Sequence, residues 1–217
     1  MARFNAKNIL KLAKDQSKVW EGSHYYADAE RWNHVIWRES TDFFKFFRKL
    51  DLKFTLELAC GHGRHSKHII EHFYDEVTHL IMMDILQSNM EFCKNRIHSN
   101  KVTFIQNDGI HLNDVGDNYC TSIFCYDAMV HFDREVVLAY LHETYRVLRF
   151  GGMGLFHHSN YSENAKNHFS QNPHARAFMS ATLFSDFSKQ AGLKIVEQKI
   201  IPWGDSPELD CLTLVSK

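Results

Sequence analysis

The sequence predicts an α/β fold in which a doubly wound, mainly parallel sheet of seven strands ends in an antiparallel strand and is preceded by cap helices. Two observations support this prediction. From residue 53 onward, short apolar runs alternate with amphipathic segments, which is typical of parallel strands joined by helices. The last two apolar runs are separated only by the turn "PWGDSP", which predicts a closing hairpin.

The chain before residue 53 is predicted to be helical. The stretches "NAKNILKLAKDQSKVW" and "AERWNHVIWRESTDFFKFFRKL" carry apolar residues at steps of three and four, which is the spacing of one helix face. We therefore expect cap helices that pack on the core.

The later elements follow in chain order. Strands are predicted in "KFTLELA", "VTHLIMMD", "KVTFIQND", "CTSIFCYDAMVHF", "GMGLFHHSN", "LKIVEQKII" and "LDCLTLVS". Helices are predicted in "RHSKHIIEHFYD", "QSNMEFCKNRIHS", "DREVVLAYLHETYRVLRF" and "SATLFSDFSKQAG". We expect Gly151 and Gly152 to stop the third helix, and Ser180 and Gly192 to cap the two ends of the fourth.

Composition favours one globular domain with a small-molecule substrate. The 217 residues, 44% of them hydrophobic, suffice for one buried core. With 25 Lys and Arg against 26 Asp and Glu, the chain lacks the excess of positive charge that is typical of proteins that bind nucleic acid or an anionic membrane. No apolar run reaches the roughly 18 residues of a membrane span, and five scattered cysteines fit reduced thiols. We expect a cytoplasmic monomer or homodimer without a nucleic-acid or membrane partner.

Two glycines one residue apart, Gly61 and Gly63, follow the first predicted strand in "LELACGHGRHS". Their missing Cβ atoms allow a tight turn and the close approach of a ligand, although a generic turn explains such a pair equally well. Asp84 ends the second strand, where a carboxylate can bind a ribose diol, and Asp108 ends the third, where it can accept from an adenine amine. A dinucleotide oxidoreductase fits less well, because Ser66 replaces its third glycine.

These motifs together resemble class I S-adenosylmethionine-dependent methyltransferases, a Rossmann-like family. The first motif stands here as Glu57 to Gly63, the second as "DILQSNM", the third as "QNDGI", and the segment leading into the fifth strand as "YRVLRFGGMGLF". The resemblance covers residues 53–217. It implies a methyltransferase that uses S-adenosyl-L-methionine and releases S-adenosyl-L-homocysteine.

The resemblance also implies a set of cofactor contacts, namely Glu57, Ala59, Cys60, Gly61, Gly63, Asp84, Ile85, Asn107, Asp108 and Gly109. The backbone of the glycine turn would hold the methionine and the ribose, Asp84 would bind the ribose, and residues 107–109 would flank the adenine. Glu57 would reach the methionine amino group, for which an anion is suited. The sequence departs from many family members at His65, where they carry a third glycine.

Methyl transfer to a hydroxyl is an in-line displacement that also requires the removal of one proton. Asp127 and His131 follow the fourth strand, and this segment resembles plant phenolic O-methyltransferases, in which a catalytic His precedes the Gly-Gly turn by a similar interval. His131 equally fits a passive place in the pocket wall or at a helix start. His157 and His158 end the fifth strand and point to opposite sides, so at most one is expected to line the site, and either is an alternative base.

For the substrate we expect contacts from Tyr26, Asn160, His174, Arg176 and Trp203. The polar segment "YSENAKNHFSQNPHARAFMS" stands where the family commonly builds a substrate lid, and Arg176 with His174 can grip a phosphate or carboxylate. An ordinary solvated loop is the alternative interpretation.

Three histidines, His65, His68 and His72, are spaced like metal ligands on one helix face. A helix after a glycine turn, however, packs one face on the sheet. Metal-dependent methyltransferases place a carboxylate after strand four, which Asp127 fits, and an Asp-Asn pair after strand five, which "HHSN" lacks. We therefore expect catalysis without a metal.

The sequence thus predicts O-methylation of a hydroxyl on a small polar metabolite, either sugar-like or anionic and phosphorylated, with a His base. N-methylation of a small amine, methylation of RNA or protein, and a non-catalytic cofactor-binding module are the alternatives. We expect a single domain, 1–217, with cap helices over 1–52, a cofactor-binding core over 53–160, a substrate lid over 161–180, and a helix and hairpin over 181–217.

Overall fold

The structure, a computed structural model, describes residues 6–217. Asn5, with which the first predicted helix begins, lies outside the described residues.

Seven strands form one sheet: β1 (Phe54–Leu58), β2 (His79–Asp84), β3 (Val102–Gln106), β4 (Cys120–Cys125), β5 (Leu148–Ser159), β6 (Lys194–Trp203) and β7 (Ser206–Ser216). Their order is β3-β2-β1-β4-β5-β7-β6. Strands β1 to β5 run parallel, and β7 is antiparallel to both of its neighbours. The predicted sheet is confirmed. Because the strand order reverses between β1 and β4, a crevice opens at their carboxyl ends, where ligands bind in such sheets.

The helices in the described part of the chain are α1 (Ala6–Ser17), α2 (Tyr25–Arg31), α3 (Asn33–Ile36), α4 (Asp42–Phe47), α5 (Arg64–His72), α6 (Gln87–Arg96), α7 (Arg134–Val147) and α8 (Ala181–Gln190). The second predicted cap helix is divided among α2, α3 and α4, so its prediction as one continuous helix was wrong. Thr41 explains the last break. Its extended backbone and its hydroxyl, which accepts a hydrogen bond from Phe44 N–H, make it the N-cap of α4.

The end of α7 also differs from the prediction. Leu148, the residue after Val147, already lies in β5, where it is buried and pairs with Cys120. Gly152 lies inside this strand, where a Cβ would come within 2.9 Å of a backbone carbonyl oxygen. The stop predicted at Gly151 and Gly152 was therefore wrong, and the close packing of the strand accounts for Gly152.

Both predicted caps of α8 are confirmed. The Ser180 hydroxyl accepts a hydrogen bond from Leu183 N–H at 3.1 Å. Gly192, beyond the end of the helix, has φ +91°, a conformation that glycine adopts without strain.

Two apolar clusters cover the two faces of the sheet. One includes Ile9 of α1, Leu141 of α7 and Phe184 of α8. The other includes Phe47 of α4 and Ile69 of α5. The sheet is therefore buried on both sides, and none of the helices within residues 6–217 has the length and apolar character needed to cross a bilayer.

Candidate active site

A pocket opens beyond the carboxyl ends of β1, β2 and β4. Ala59, Asp84 and Asp127, which follow or end these strands, line its floor. Trp20 and Tyr25, from the N-terminal segment, line it from the other side. The described N-terminal helices thus enclose the crevice that the strand order creates.

The glycine turn is held by Asp84, which is buried at the end of β2. Its Oδ2 accepts a hydrogen bond from Gly61 N–H at 2.9 Å, and its Oδ1 accepts from Leu86 N–H and from the Asn89 amide. Burial raises the pKa of Asp84, and these hydrogen bonds oppose that rise. Asp84 therefore fixes the turn in addition to lining the pocket.

Helix α2 packs directly on this turn. Gly61 has φ +55°, and a Cβ there would lie 2.7 Å from the Tyr26 ring. The Tyr26 ring in turn stacks on His62 at 4.2 Å between centroids, and Phe92 covers the other face of His62 at 3.8 Å. Tyr26, predicted as a substrate contact, therefore lies over the glycine turn.

Glu57 is buried at the end of β1 and lines the pocket. Its Oε2 accepts hydrogen bonds from the backbone N–H and the hydroxyl of Ser66. Burial raises the pKa of Glu57 to about 7, against the lowering effect of these hydrogen bonds. A carboxyl group in this state binds a cationic amine well, because the amine supplies the counter-charge that the buried carboxylate needs.

Asn107 carries an unused acceptor at the other end of the pocket. Its amide nitrogen donates to the Tyr140 hydroxyl at 2.9 Å, while its Oδ1 is buried without a partner among residues 6–217. Gly109, which also lines the pocket, has φ +99°, and a Cβ there would lie 2.8 Å from Cβ of Ala13 in α1.

Two of the predicted cofactor residues do not line this pocket. Asp108 accepts hydrogen bonds from Ile110 N–H and His111 N–H and pairs with the His111 ring, so its carboxylate is used within its own loop. Gly63 is the N-cap residue of α5 and has φ +73°, and a Cβ there would lie 2.6 Å from the Met82 side chain. The remaining predicted cofactor residues, Glu57, Ala59, Cys60, Gly61, Asp84, Ile85, Asn107 and Gly109, line it.

Asp127 occupies a strained position in the part of the pocket that lies beyond β4. It has φ +60°, which is unfavourable for a residue with a Cβ. Its Oδ2 accepts hydrogen bonds of 2.6 Å from the Tyr25 hydroxyl and from Arg64 Nη2. Its Oδ1 is buried and has no partner within residues 6–217.

His131 lines the pocket with a defined tautomer. Its Nδ1 lies 2.7 Å from the Ala175 carbonyl oxygen, which can only accept, so Nδ1 carries the proton. Nε2 makes no hydrogen bond to the described residues and keeps its lone pair. Burial lowers the pKa of His131 to about 4, so the ring is neutral at physiological pH.

The two histidines that end β5 are both fully buried, and neither lines the pocket. His157 uses both ring nitrogens, one toward Asp127 N–H and one toward Asp210. His158 stacks on Phe184 at 3.8 Å on the other face of the sheet, and burial lowers its pKa to about 3. The predicted alternation of these side chains is observed.

The remaining predicted substrate residues lie outside the pocket. Arg176 is 2% exposed, and its guanidinium is bound to Asp210 and to the His174 carbonyl oxygen. Asn160 bonds to backbone groups at the start of α8 and in β7. Trp203 lies against the Arg176 guanidinium. The His174 side chain is exposed and does not line the pocket either.

Sequence reasoning missed Arg64, which pairs with Asp127, and Trp20, whose ring lies 4.4 Å from that of His131. Arg64 follows the glycine turn directly, and this adjacency was its one available signal. The contact between Tyr25 and Asp127 joins residues 102 positions apart and has no local signature.

The three histidines considered as metal ligands lie along α5. His68 stacks on Trp37 at 4.1 Å, and His65 is buried among Trp37, Phe43 and Tyr126. Within residues 6–217, no three His, Cys, Asp or Glu side chains are grouped so that they could hold a metal.

A sheet in this strand order, with a glycine turn after β1 and acidic or amide residues at three strand ends, defines the class I methyltransferase fold. Residues 55–152 match the model of a family described as a methyltransferase domain. These residues therefore form a class I S-adenosylmethionine-dependent methyltransferase domain, and the protein is an S-adenosylmethionine-dependent methyltransferase.

Solved structures of three S-adenosylmethionine-dependent methyltransferases share the fold. The one from Archaeoglobus fulgidus has a TM-score of 0.66 at 13% identity, over 90% of this chain and 100% of its own. Those from Clostridium acetobutylicum (TM-score 0.63, 15% identity, 89% and 99% coverage) and Mesorhizobium loti (0.65, 10%, 82% and 99%) are similar. No curated protein matches the sequence.

The pocket residues suit this cofactor chemically. Glu57 offers a carboxylate for the methionine amine, Asp84 an acceptor for ribose hydroxyls, and Asn107 Oδ1 an unused acceptor for the adenine amine. When bound, S-adenosylmethionine supplies an electrophilic methyl group on a cationic sulfur.

Proposed function

We propose that this enzyme transfers a methyl group to a hydroxyl of a neutral, polar small molecule, with His131 as the general base. The supporting observation is the tautomer of His131. The Ala175 carbonyl oxygen holds the proton on Nδ1, which leaves the Nε2 lone pair free beside the pocket. A neutral imidazole with a free nitrogen is what the removal of a hydroxyl proton requires.

When bound, S-adenosylmethionine would supply the methyl carbon to the acceptor oxygen, and its sulfur would keep the electron pair of the carbon–sulfur bond that breaks. The hydroxyl proton passes to Nε2 of His131, and the resulting imidazolium later releases it to solvent. Asp127, whose Oδ1 lacks a partner among the described residues, would accept a hydrogen bond from the acceptor and stabilise the imidazolium.

Arg64 and Arg176 are both paired with carboxylates, and this limits the class of substrate that the site can bind. Arg64 is bound to Asp127, and Arg176 is bound to Asp210 outside the pocket. A phosphate or carboxylate would need a free cation, and neither guanidinium offers one. We therefore limit the proposal to neutral hydroxyl compounds and omit the anionic ones that Arg176 and His174 predicted.

An amine is the second candidate acceptor. The unused Oδ1 of Asp127 lies in an aromatic part of the pocket, near Trp20, Tyr25 and Tyr126, which together suit a cationic amine. The rate with an amine would rise with pH through the amine's own pKa, because only the neutral form attacks. The rate with a hydroxyl would stay flat between pH 6 and 8, since His131 has a pKa of about 4.

The domain organisation and the cell compartment are also proposals. We propose that residues 161–180 help to form the acceptor site through their backbone, as the Ala175 carbonyl oxygen does for His131. All five cysteines are free and buried, which supports a reducing compartment such as the cytoplasm. A monomer or homodimer without a nucleic-acid partner is the assembly that we propose.

The test is a methyl-transfer assay with the variant His131→Asn. The asparagine amide can still donate to the Ala175 carbonyl oxygen but offers no base at the Nε2 position. With radiolabelled S-adenosylmethionine and a panel of neutral sugars, cyclitols and phenols, we expect kcat to fall about 100-fold or more. The affinity for S-adenosylhomocysteine should stay within about threefold of the wild type.

The matched control is His174→Asn, a change at an exposed histidine outside the pocket, which should retain wild-type turnover. Wild-type turnover by His131→Asn would rule out His131 as the base. Methylation of amines alone in a parallel panel would select the second candidate.

A further inference from the structure

A chain of buried polar groups behind the pocket ends on the backbone of Asp127. Arg176, Asp210 and His157 are 2%, 0% and 0% exposed. Charged side chains are rarely buried so completely unless they pair with one another. Strands β5 and β7 pair through their own backbones, so the sheet does not need these side chains for its pairing.

The outer part of this chain is a rigid ion pair. Arg176 Nε and Nη2 donate to the two oxygens of Asp210 at 2.8 and 2.5 Å, and Nη1 donates to the His174 carbonyl oxygen. The guanidinium also lies 4.8 Å from the centre of the Trp203 ring. Burial acts to raise the pKa of Asp210, but hydrogen bonds from His157 and Arg176 outweigh it and lower the pKa to about 2.

The inner part fixes the tautomer of His157. Asp127 N–H can only donate, and it lies 3.1 Å from His157 Nδ1, so Nδ1 must be the unprotonated acceptor. The ring proton is then on Nε2, which lies 2.9 Å from Asp210 Oδ2 and donates to it. The ionised Asp210 thereby keeps His157 in the one neutral form that can accept from Asp127.

Asp127 is held from two sides. Its backbone, with φ +60°, is bound by His157, and its Oδ2 is bound by Tyr25 and Arg64. Of the two carboxylate oxygens of Asp127, only Oδ1 therefore has no partner among residues 6–217. A backbone in this conformation persists only where its surroundings fix it, so the loss of the His157 contact would displace Oδ1.

We propose that His157 is a positioning residue, whose Nδ1 holds the strained Asp127 turn so that Asp127 Oδ1 binds the acceptor hydroxyl beside His131. Asp210 and Arg176 act through His157, because they keep its proton on Nε2. This inference rests on the proposed function for the identity of the acceptor, but the geometry of the turn does not depend on it.

The experiment compares two variants of one residue. In His157→Asn, the amide oxygen takes the place of Nδ1 and can accept from Asp127 N–H. In His157→Gln, the amide group reaches toward Asp210 and leaves Asp127 N–H without an acceptor. Both variants remove the ring, so a role in packing alone would affect them equally.

Two quantities are measured. The first is methyl transfer to whichever neutral hydroxyl compound the wild type accepts from the panel above. We expect His157→Gln to lose about tenfold or more in kcat and His157→Asn to stay within about threefold, with S-adenosylhomocysteine affinity kept in both. The second is hydrogen exchange at the Asp127 amide, which should be about tenfold faster in His157→Gln than in His157→Asn.

Equal turnover and equal exchange in the two variants would overturn the positioning role. If no hydroxyl compound is methylated, the proposed function fails, while the exchange rates still decide the role of His157. If His157→Gln does not fold, hydrogen exchange is measured at the Asp127 amide of the wild type. This amide should be protected, and exchange at the rate of an open loop would overturn the proposal.

Discussion

The two ends of the pocket are built in different ways. At the proposed cofactor end, the hydrogen bonds that fix the site join residues of neighbouring elements, with Ser66 and Glu57 nine positions apart and Gly61 and Asp84 23 apart. At the proposed acceptor end, the hydrogen bonds join distant parts of the chain. His131 and Ala175 are 44 positions apart, and Tyr25 and Asp127 are 102 apart.

The side chains at the two ends are therefore positioned by different features of the fold. The cofactor end uses groups whose places follow from the strand ends, as they must in any sheet with this crevice. The acceptor end depends on where α2 and the insert pack on the strands. Substitutions at the two ends should therefore affect different measurements.

Asp127→Ala should have the largest effect, and it should break the acceptor end alone. It leaves the Arg64 guanidinium, whose side chain is 11% exposed, without its carboxylate. We expect a loss of about 3 kcal/mol in the free energy of unfolding, measured by chemical denaturation. We also expect kcat to fall about 100-fold or more, while S-adenosylhomocysteine affinity stays within about threefold.

The control for this prediction is Asp15→Ala. Asp15 pairs with Lys18 in a solvent-exposed salt bridge, and its loss should leave stability and turnover unchanged. If Asp127→Ala weakens S-adenosylhomocysteine binding as strongly as it slows turnover, then the two ends of the pocket are not separable.

Glu57→Gln should have the next largest effect, and it should break the cofactor end. Loss of the charge should weaken S-adenosylmethionine binding by about 10-fold to 100-fold, measured by calorimetry. In the wild type, a cationic amine favours the ionised carboxylate, so binding below the Glu57 pKa of about 7 must release a proton. Affinity should therefore fall as pH falls from 7 to 5, and this pH dependence should be absent from Glu57→Gln.

The third substitution, Gly61→Ala, tests how α2 is seated on the glycine turn. The new methyl group would lie 2.7 Å from the Tyr26 ring at φ +55°. We expect a loss of about 2 to 3 kcal/mol in the free energy of unfolding. Gly151→Ala is the matched control, since it has φ +78° but nothing within 4 Å, and it should cost about 1 kcal/mol. Equal losses in the two variants would show that α2 does not press on the turn.

The sequence predicts the sheet well because strand and helix periodicities are local. For the same reason, most of the residues predicted to contact the cofactor line the pocket, and Gly63 and Asp108 are the exceptions. Asp108 instead accepts hydrogen bonds from the N–H groups two and three residues after it, and so caps its own loop. The broken cap helix was missed because apolar spacing continues across Thr41, whose capping role outweighs it.

The acceptor end was predicted only in part. His131 and Asp127 were found from their place after β4, but Arg176 was interpreted as an anion ligand. Its partner, Asp210, lies 34 positions away on β7, and no sequence pattern joins the two. Whether a charged side chain faces a ligand or an internal counter-ion depends on tertiary packing, which spacing along the chain does not determine.

In the proposed site, His131 and His157 have opposite neutral tautomers, and of the two only His131 has a ring nitrogen free to act as a base. Long-range ¹H–¹⁵N NMR of histidine-labelled protein with S-adenosylhomocysteine tests this directly, with His131→Asn and His157→Asn used for assignment. We expect His131 to be protonated on Nδ1 and His157 on Nε2 between pH 6 and 8. A His131 ring protonated on Nε2, or a His157 ring protonated on Nδ1, would rule out the roles proposed for these two histidines.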